Sequence, residues 1–258
     1  MEIVLYVLVA LLGLAVGSFL NVVISRLPAG ESVVRPASRC PGCGSAIRAW
    51  QNVPVLSWVA LRGRCASCRE PISLQYPAVE LLTAAAFVLV VVRLDWSWSI
   101  PAYLYLAAIG IALLVIDLQT HRLPNAIVLP SYPVLAVLLG LASWGAGDLG
   151  SFVRALIGGA ILFGAYFAMA LAYPGGMGFG DVKLAGLLGA GLAFLGWGEL
   201  AVGGFAAFLL GGVFSIGLLL VGRAGRKSGI PFGPWMIAGA ALGLAAGGAL
   251  FDAYLGLY

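Results

Sequence analysis

Residues 100–118 read IPAYLYLAAIGIALLVIDL, and this stretch decides the fold. It carries one charge, Asp117, at its far end. At ~1.5 Å per residue it would extend ~28 Å as a helix, close to the ~30 Å thickness of a bilayer's hydrocarbon core. The same kind of stretch recurs along the chain, near 3–25, 77–94, 125–144, 152–172, 183–198, 200–222 and 233–255. With 100–118 that makes eight candidate spans. The sixth is short and abuts the seventh through Gly196-Trp197-Gly198-Glu199, so seven spans is the alternative.

The whole-chain composition agrees. Of 258 residues, 62% are hydrophobic and 9% are charged, against about 45–50% and about 25% in soluble domains. A water-soluble globular fold and a disordered chain are both excluded. Glycine, at 37 residues, is about twice as frequent as usual, as in membrane helices that pack closely. The expected fold is an all-α polytopic membrane protein embedded in a lipid bilayer. It divides into a first transmembrane helix (1–25), a small cytoplasmic cysteine module (26–76) and a transmembrane domain (77–258). The first span has Glu2 in place of a basic leader region and reads as a retained helix.

Orientation follows from the basic residues. With eight spans and the 26–76 segment cytoplasmic, twelve of the fourteen Lys and Arg fall inside, among them Arg122, Lys183 and the Arg223, Arg226, Lys227 cluster. Only Arg93 and Arg154 fall outside. Glu2, Asp95, Asp148, Glu199 and Asp252 also land at outer ends. Both termini are therefore expected on the extracytoplasmic side. No nucleic-acid partner is expected.

All four cysteines lie in the 26–76 segment, as Cys40-Pro-Gly-Cys43 and Cys65-Ala-Ser-Cys68. Paired C-x-x-C knuckles supply the four thiolates of a tetrahedral structural zinc site. Two disulfides are the alternative. A module carrying seven arginines should face the reducing cytosol, which favours zinc. Four protein ligands leave no open position for substrate, so the metal's role would be structural.

Three acids remain near the membrane: Glu80, Asp117 and Asp181. Intramembrane carboxylates are costly and point to function. Asp117 and Asp181 fall at the same, cytoplasmic edge, each beside a turn. Two aspartates brought together share one proton. The ionised one can take a proton from water attacking a peptide carbonyl, while the other donates to the substrate. Gly178 and Gly180, either side of Phe179, allow a tight turn and a close approach of substrate backbone. The competing reading makes Asp181 a helix N-cap and pairs Asp117 with Arg122 or Lys183. Glu80 would contact substrate or the cysteine module, or simply be satisfied at the interface. His121, the sole histidine, has no Ser or Cys partner at that site. An ion- or proton-coupled transporter using the Asp pair is the alternative function, although the two halves of the chain show none of the internal symmetry common in transporters.

The order of these motifs resembles the type IV prepilin peptidases, and the resemblance covers essentially the whole chain. It runs through Gly17-Ser18-Phe19-Leu20-Asn21 with Arg26-Leu27-Pro28, the two cysteine pairs, Gln75-Tyr76-Pro77 with Glu80, Asp117 ahead of Leu123-Pro124, and Gly178-Phe179-Gly180-Asp181 as the G-x-G-D motif of intramembrane aspartyl proteases. Asn125 departs from the pattern, where many members carry Asp. The resemblance implies a bifunctional enzyme. It would remove the leader of prepilins and pseudopilins at the cytoplasmic face, in type IV pilus and type II secretion systems. It would then methylate the new N-terminus with S-adenosylmethionine. Asp117 and Asp181 would be catalytic, with Gly178, Gly180, Lys183 and Glu80 in support.

Overall fold

The computed structural model describes residues 2–222 and 230–257. The Arg223, Arg226 and Lys227 cluster lies outside them. The described residues are helical, with no strand among them. Nine α-helices follow in order: α1 Glu2–Arg26, α2 Leu56–Ala60, α3 Gln75–Leu94, α4 Ile100–Thr120, α5 Asn125–Ala146, α6 Leu149–Ala172, α7 Phe179–Leu195, α8 Trp197–Leu220 and α9 Gly233–Leu255. All but α2 and α7 are long and apolar enough to cross a membrane, seven in all by length and composition. The chain is a multi-pass membrane protein, and apolar side chains such as Leu8, Leu11, Phe205 and Val213 are turned outward where lipid would cover them.

The chain forms two compact units, Met1–Val92 and Arg93–Tyr258. In the first, α1 and α3 pack backbone to backbone. A Cβ placed on Gly13 would meet Ala84 Cα at 2.6 Å, and one on Gly17 would meet Glu80 Cα at 2.7 Å. Small residues four apart allow this approach, since helices in lipid associate by packing and not by a hydrophobic drive. Between α1 and α3 lies the cysteine module, held by turns, the short α2 and two isolated antiparallel bridges, Arg39 with Ala46 and Arg64 with Pro71.

In the second unit α7 runs through the middle, with ten of its 17 residues buried. Near its C-terminal end the Tyr103 hydroxyl of α4 donates to Gly191 O at 2.6 Å. Near its N-terminal end the Tyr132 hydroxyl of α5 donates to Lys183 O at 2.6 Å. Arg154 of α6 donates to the carbonyls of Ala193, Phe194 and Leu195, satisfying groups that the end of α7 leaves open. Leu113, Val128, Tyr166, Val182, Leu184 and Met236 form the core around it.

The start and end of α7 differ from the 183–198 expected. The helix begins at Phe179, so Asp181 lies inside its first turn, and Gly178 is the N-cap. It ends at Leu195 because Gly196 is fully extended, and α8 starts at Trp197. At ~1.5 Å per residue α7 is ~25 Å long, the shortest of the eight long helices, and it is enclosed by α4, α5, α6, α8 and α9.

Candidate functional site

Three helix ends build the site in the second unit. The first is the C-terminus of α4. His121 adopts the left-handed conformation (φ 52°) and its N–H closes on Asp117 O at 2.9 Å, ending the helix. Leu123-Pro124 then prevents it from resuming, since a residue before proline is biased away from helix. Asp117 is thereby left in the last turn, 4% exposed. The second end is the N-terminus of α9. The Gly233 N–H, one of the donors a helix start cannot satisfy internally, donates to Asp117 Oδ2 at 3.1 Å. The third is the N-terminus of α7. Asp181 Oδ2 accepts the Gly178 N–H at 3.2 Å, and Asp181 is partly exposed.

Leu123 ties the three ends together. A Cβ on Gly180 would lie 3.0 Å from Leu123 Cβ, and one on Gly233 would lie 3.4 Å from Leu123 Cδ2. Gly180, next to Asp181, and Gly233, which donates to Asp117, thus lie against the same leucine, and each aspartate has one oxygen held by a backbone N–H. No Lys or Arg lies within ion-pair distance of either among the described residues. Lys183 points elsewhere: its Nζ donates to Asn125 Oδ1 at 2.8 Å and lies 4.8 Å from the centre of the Phe179 ring. Asp181 is not the N-cap, which is Gly178; it is the third residue of α7 and its carboxylate accepts the Gly178 N–H. The pairing of Asp117 with Arg122 or Lys183 is not realised either.

Gly233 escaped the sequence reading. Its signal was Gly233-Pro234 at the start of a span, which marks a helix N-terminus but not what that terminus faces. Tyr166 escaped too. It is 2% exposed and its ring packs on Phe232, centroids 6.2 Å apart, beside Gly233.

In the first unit the four cysteines converge, with their sulfurs all within 4.8 Å of one another. The two knuckles have the same local form. Cys40 N–H donates to Ser45 O and Cys65 N–H to Glu70 O, at 2.9 and 2.8 Å. The fourth residue after each first cysteine, Gly44 or Arg69, has positive φ (68° and 65°). All four thiols are free of disulfides. Cys40 Sγ and Cys68 Sγ are 3.8 Å apart, about the edge of a tetrahedron with ~2.3 Å metal–sulfur bonds. Backbone N–H groups of Cys68 and Ser67 bring the Cys65 thiol down to about 6, while Cys68 beside it is pushed up to about 12, a thiol that a bound metal would deprotonate. The cluster can hold a metal ion.

Glu80 is 6% exposed and accepts the Val55 N–H at 2.7 Å. Of the contacts considered for it, the one to the cysteine module is present, through the start of α2.

Residues 104–216, which hold both aspartates, match the model of the type IV leader peptidase family, and residues 11–94 match the bacterial peptidase A24 N-terminal domain. The chain belongs to the type IV leader peptidase family. Curated relatives of the family carry the name prepilin leader peptidase/N-methyltransferase. One from Aeromonas hydrophila is 37% identical over 257 residues, covering 89% of this chain and 86% of the relative. One from Neisseria gonorrhoeae is 37% identical over 256 residues, covering 88% and 85%. One from Myxococcus xanthus is 40% identical over 225 residues, covering 84% of this chain and 64% of the relative. No solved structure matches the chain. Family membership and seven apolar helices make this a multi-pass protein of the bacterial inner membrane. The α9 helix, which supplies Gly233, lies beyond both matched segments.

Proposed function

We propose that this chain is an intramembrane aspartyl endopeptidase that removes the leader of prepilins and pseudopilins and then N-methylates the exposed N-terminus. One observation supports the peptidase half: Gly233, which donates to Asp117, and Gly180, next to Asp181, lie against the same Leu123, and neither acid has a Lys or Arg within ion-pair distance among the described residues.

The chemistry follows from two carboxylates sharing one proton. The ionised aspartate takes a proton from a water molecule as the water oxygen attacks the scissile carbonyl carbon. The protonated aspartate gives its proton to the carbonyl oxygen. On collapse the C–N bond breaks, the leaving nitrogen takes the proton that the first aspartate drew from water, the second aspartate recovers a proton from a hydroxyl of the tetrahedral carbon, and the leader departs with a new carboxyl group. The Gly178 and Gly233 N–H groups fix one oxygen of each carboxylate, leaving the other to face substrate. Gly178 and Gly180 give the substrate backbone room, and Lys183, bound to Asn125, anchors the first turn of α7.

The four cysteine thiolates would hold a structural Zn2+, closing the module without an open coordination position. The methyltransferase half is supported by the relatives' names. S-adenosylmethionine, when bound, supplies an electrophilic methyl group, and the free α-amine left by cleavage is the nucleophile. Nothing in the structure or the comparisons favours the transporter alternative.

The active-site end is cytoplasmic in this reading, with both termini outside. The Arg93–Glu199 ion pair, 3.8 Å, supports the topology, because both residues were placed on the outer side from charge counting alone. The test is cleavage of a prepilin peptide by wild type, Asp117→Asn and Asp181→Asn, with and without S-adenosylmethionine. Both variants should lose cleavage while keeping their melting temperature. Normal processing by either would refute the dyad.

A further inference from the structure

Asn21 and Glu80 lie at the α1–α3 crossing, all within the first unit. Asn21 is 2% exposed. Its Nδ2 donates to Gly17 O at 3.3 Å and Tyr76 O at 3.1 Å. Those two carbonyls settle the orientation of the amide and leave Oδ1 pointing away from them. That oxygen is buried and accepts no hydrogen bond among the described residues. Such an acceptor is costly, most of all beside lipid. Glu80, one turn beyond Tyr76 and packed on Gly17, adds a buried carboxylate. No basic side chain lies within ion-pair distance of it among the described residues. Its carboxylate accepts the Val55 N–H and also has the Ser18 hydroxyl as a hydrogen-bond partner. Val55 is a β-branched residue at φ 61°, ψ −51°, a strained conformation that persists only when its surroundings impose it.

The two side chains present acceptors, one of them formally anionic, and the donors that reach Glu80, the Val55 N–H and the Ser18 hydroxyl, are both neutral. A primary ammonium fits this chemistry: three donors and one positive charge. Both participants in methyl transfer carry an amine that can be protonated, namely the amino-acid end of S-adenosylmethionine and the new N-terminus of the cleaved substrate, which would give a proton to the Glu80 carboxylate before its nitrogen attacks the methyl group. We propose that Asn21 and Glu80 form an ammonium-binding pocket for the methyl-transfer reaction, with the Val55 turn as its closure. The proposal rests on the methyltransferase reading. When the ammonium takes the carboxylate, the Val55 N–H is released and its backbone relaxes.

The test uses the full-length protein in detergent, as wild type, Asn21→Leu and Glu80→Gln. Glu80→Gln keeps the side chain's shape and an acceptor for Val55, so it folds even if Asn21→Leu does not. The probes are S-adenosylmethionine, a mature-sequence peptide beginning with a free-amine phenylalanine, and the same peptide N-acetylated. Binding is measured by calorimetry, and leader cleavage in parallel. Each variant should weaken one probe about tenfold or more, as loss of a hydrogen bond to a charged group does. Weaker S-adenosylmethionine assigns the pocket to the donor. Weaker free-amine peptide, with the acetylated peptide unmoved, assigns it to the acceptor. If wild type binds and methylates while both variants bind both probes equally well, the pocket proposal fails and the methyltransferase reading stands; a buried water then satisfies Asn21. If wild type binds no probe and transfers no methyl group, that reading fails, and the proposal with it.

Discussion

Gly233 offers a sharp test of the site, because it touches Asp117 without being an acid or a base. Replacing it with alanine adds one carbon. That carbon would lie 2.6 Å from Asp117 Oδ2 and 3.3 Å from its Cγ, where ordinary contact begins at 3.4 Å. The carboxylate must retreat by about 0.8 Å or rotate off the Gly233 N–H. A displacement near 1 Å of a positioned group costs roughly 100-fold in rate, so kcat for leader cleavage should fall about 30- to 100-fold, or about 2–3 kcal/mol in the barrier. The backbone itself accepts alanine, since Gly233 is not among the positive-φ residues, and the protein should fold. Gly212, with nothing within 4 Å of its added Cβ, is the control. The assay is steady-state cleavage of a prepilin peptide in detergent, with melting curves beside it. Gly233→Ala should lose kcat with KM and melting temperature nearly unchanged, and Gly212→Ala should match wild type. A Gly233→Ala enzyme within twofold of wild-type kcat would refute the claim that this helix start positions Asp117.

Two further outcomes are expected. Arg154→Ala removes the donor to three carbonyls at the end of α7 and should destabilise the protein by about 2–3 kcal/mol in detergent-denaturation experiments; a loss below about 0.5 kcal/mol would show that water replaces the guanidinium at no cost. Cys65, with its thiol near 6, is protonated below that pH and a thiolate above it. In chelator-treated protein its alkylation rate should therefore rise through about pH 6, not through the range near 8.5 of an ordinary thiol, and added zinc should block the reaction at pH 7. Equal alkylation with and without zinc would remove the cysteine cluster as a metal site.

The long helices were legible because hydropathy over twenty residues marks them, and the cysteine cluster because ligand spacing within a knuckle is local. The start of α7 lies four residues ahead of the apolar run 183–198 for a physical reason. Asp181 and Lys183 look like the polar boundary of a span, but Asp181 takes the Gly178 N–H and Lys183 reaches Asn125, so both charges fit inside the helix. The bare apolar run shows neither interaction. The helix ends three residues before that run does, because the backbone at Gly196 is extended.

The pairing of Asp117 with Gly233 spans 116 positions and was out of reach in a more basic way. Charged side chains are so few in this chain that each carboxylate stands out. The groups that hold those carboxylates are backbone N–H groups, which every residue except proline possesses. A donor common to nearly the whole chain leaves no mark in the sequence. It becomes distinctive only where a helix begins and its first N–H groups lack internal partners. At both aspartates the protein uses such a start, α9 for Asp117 and α7 for Asp181. In a membrane-embedded site this choice has a consequence. A lysine or arginine in the same place would bind the acids more tightly and would favour both being ionised, whereas a neutral amide dipole orients each carboxylate and still lets the pair share one proton.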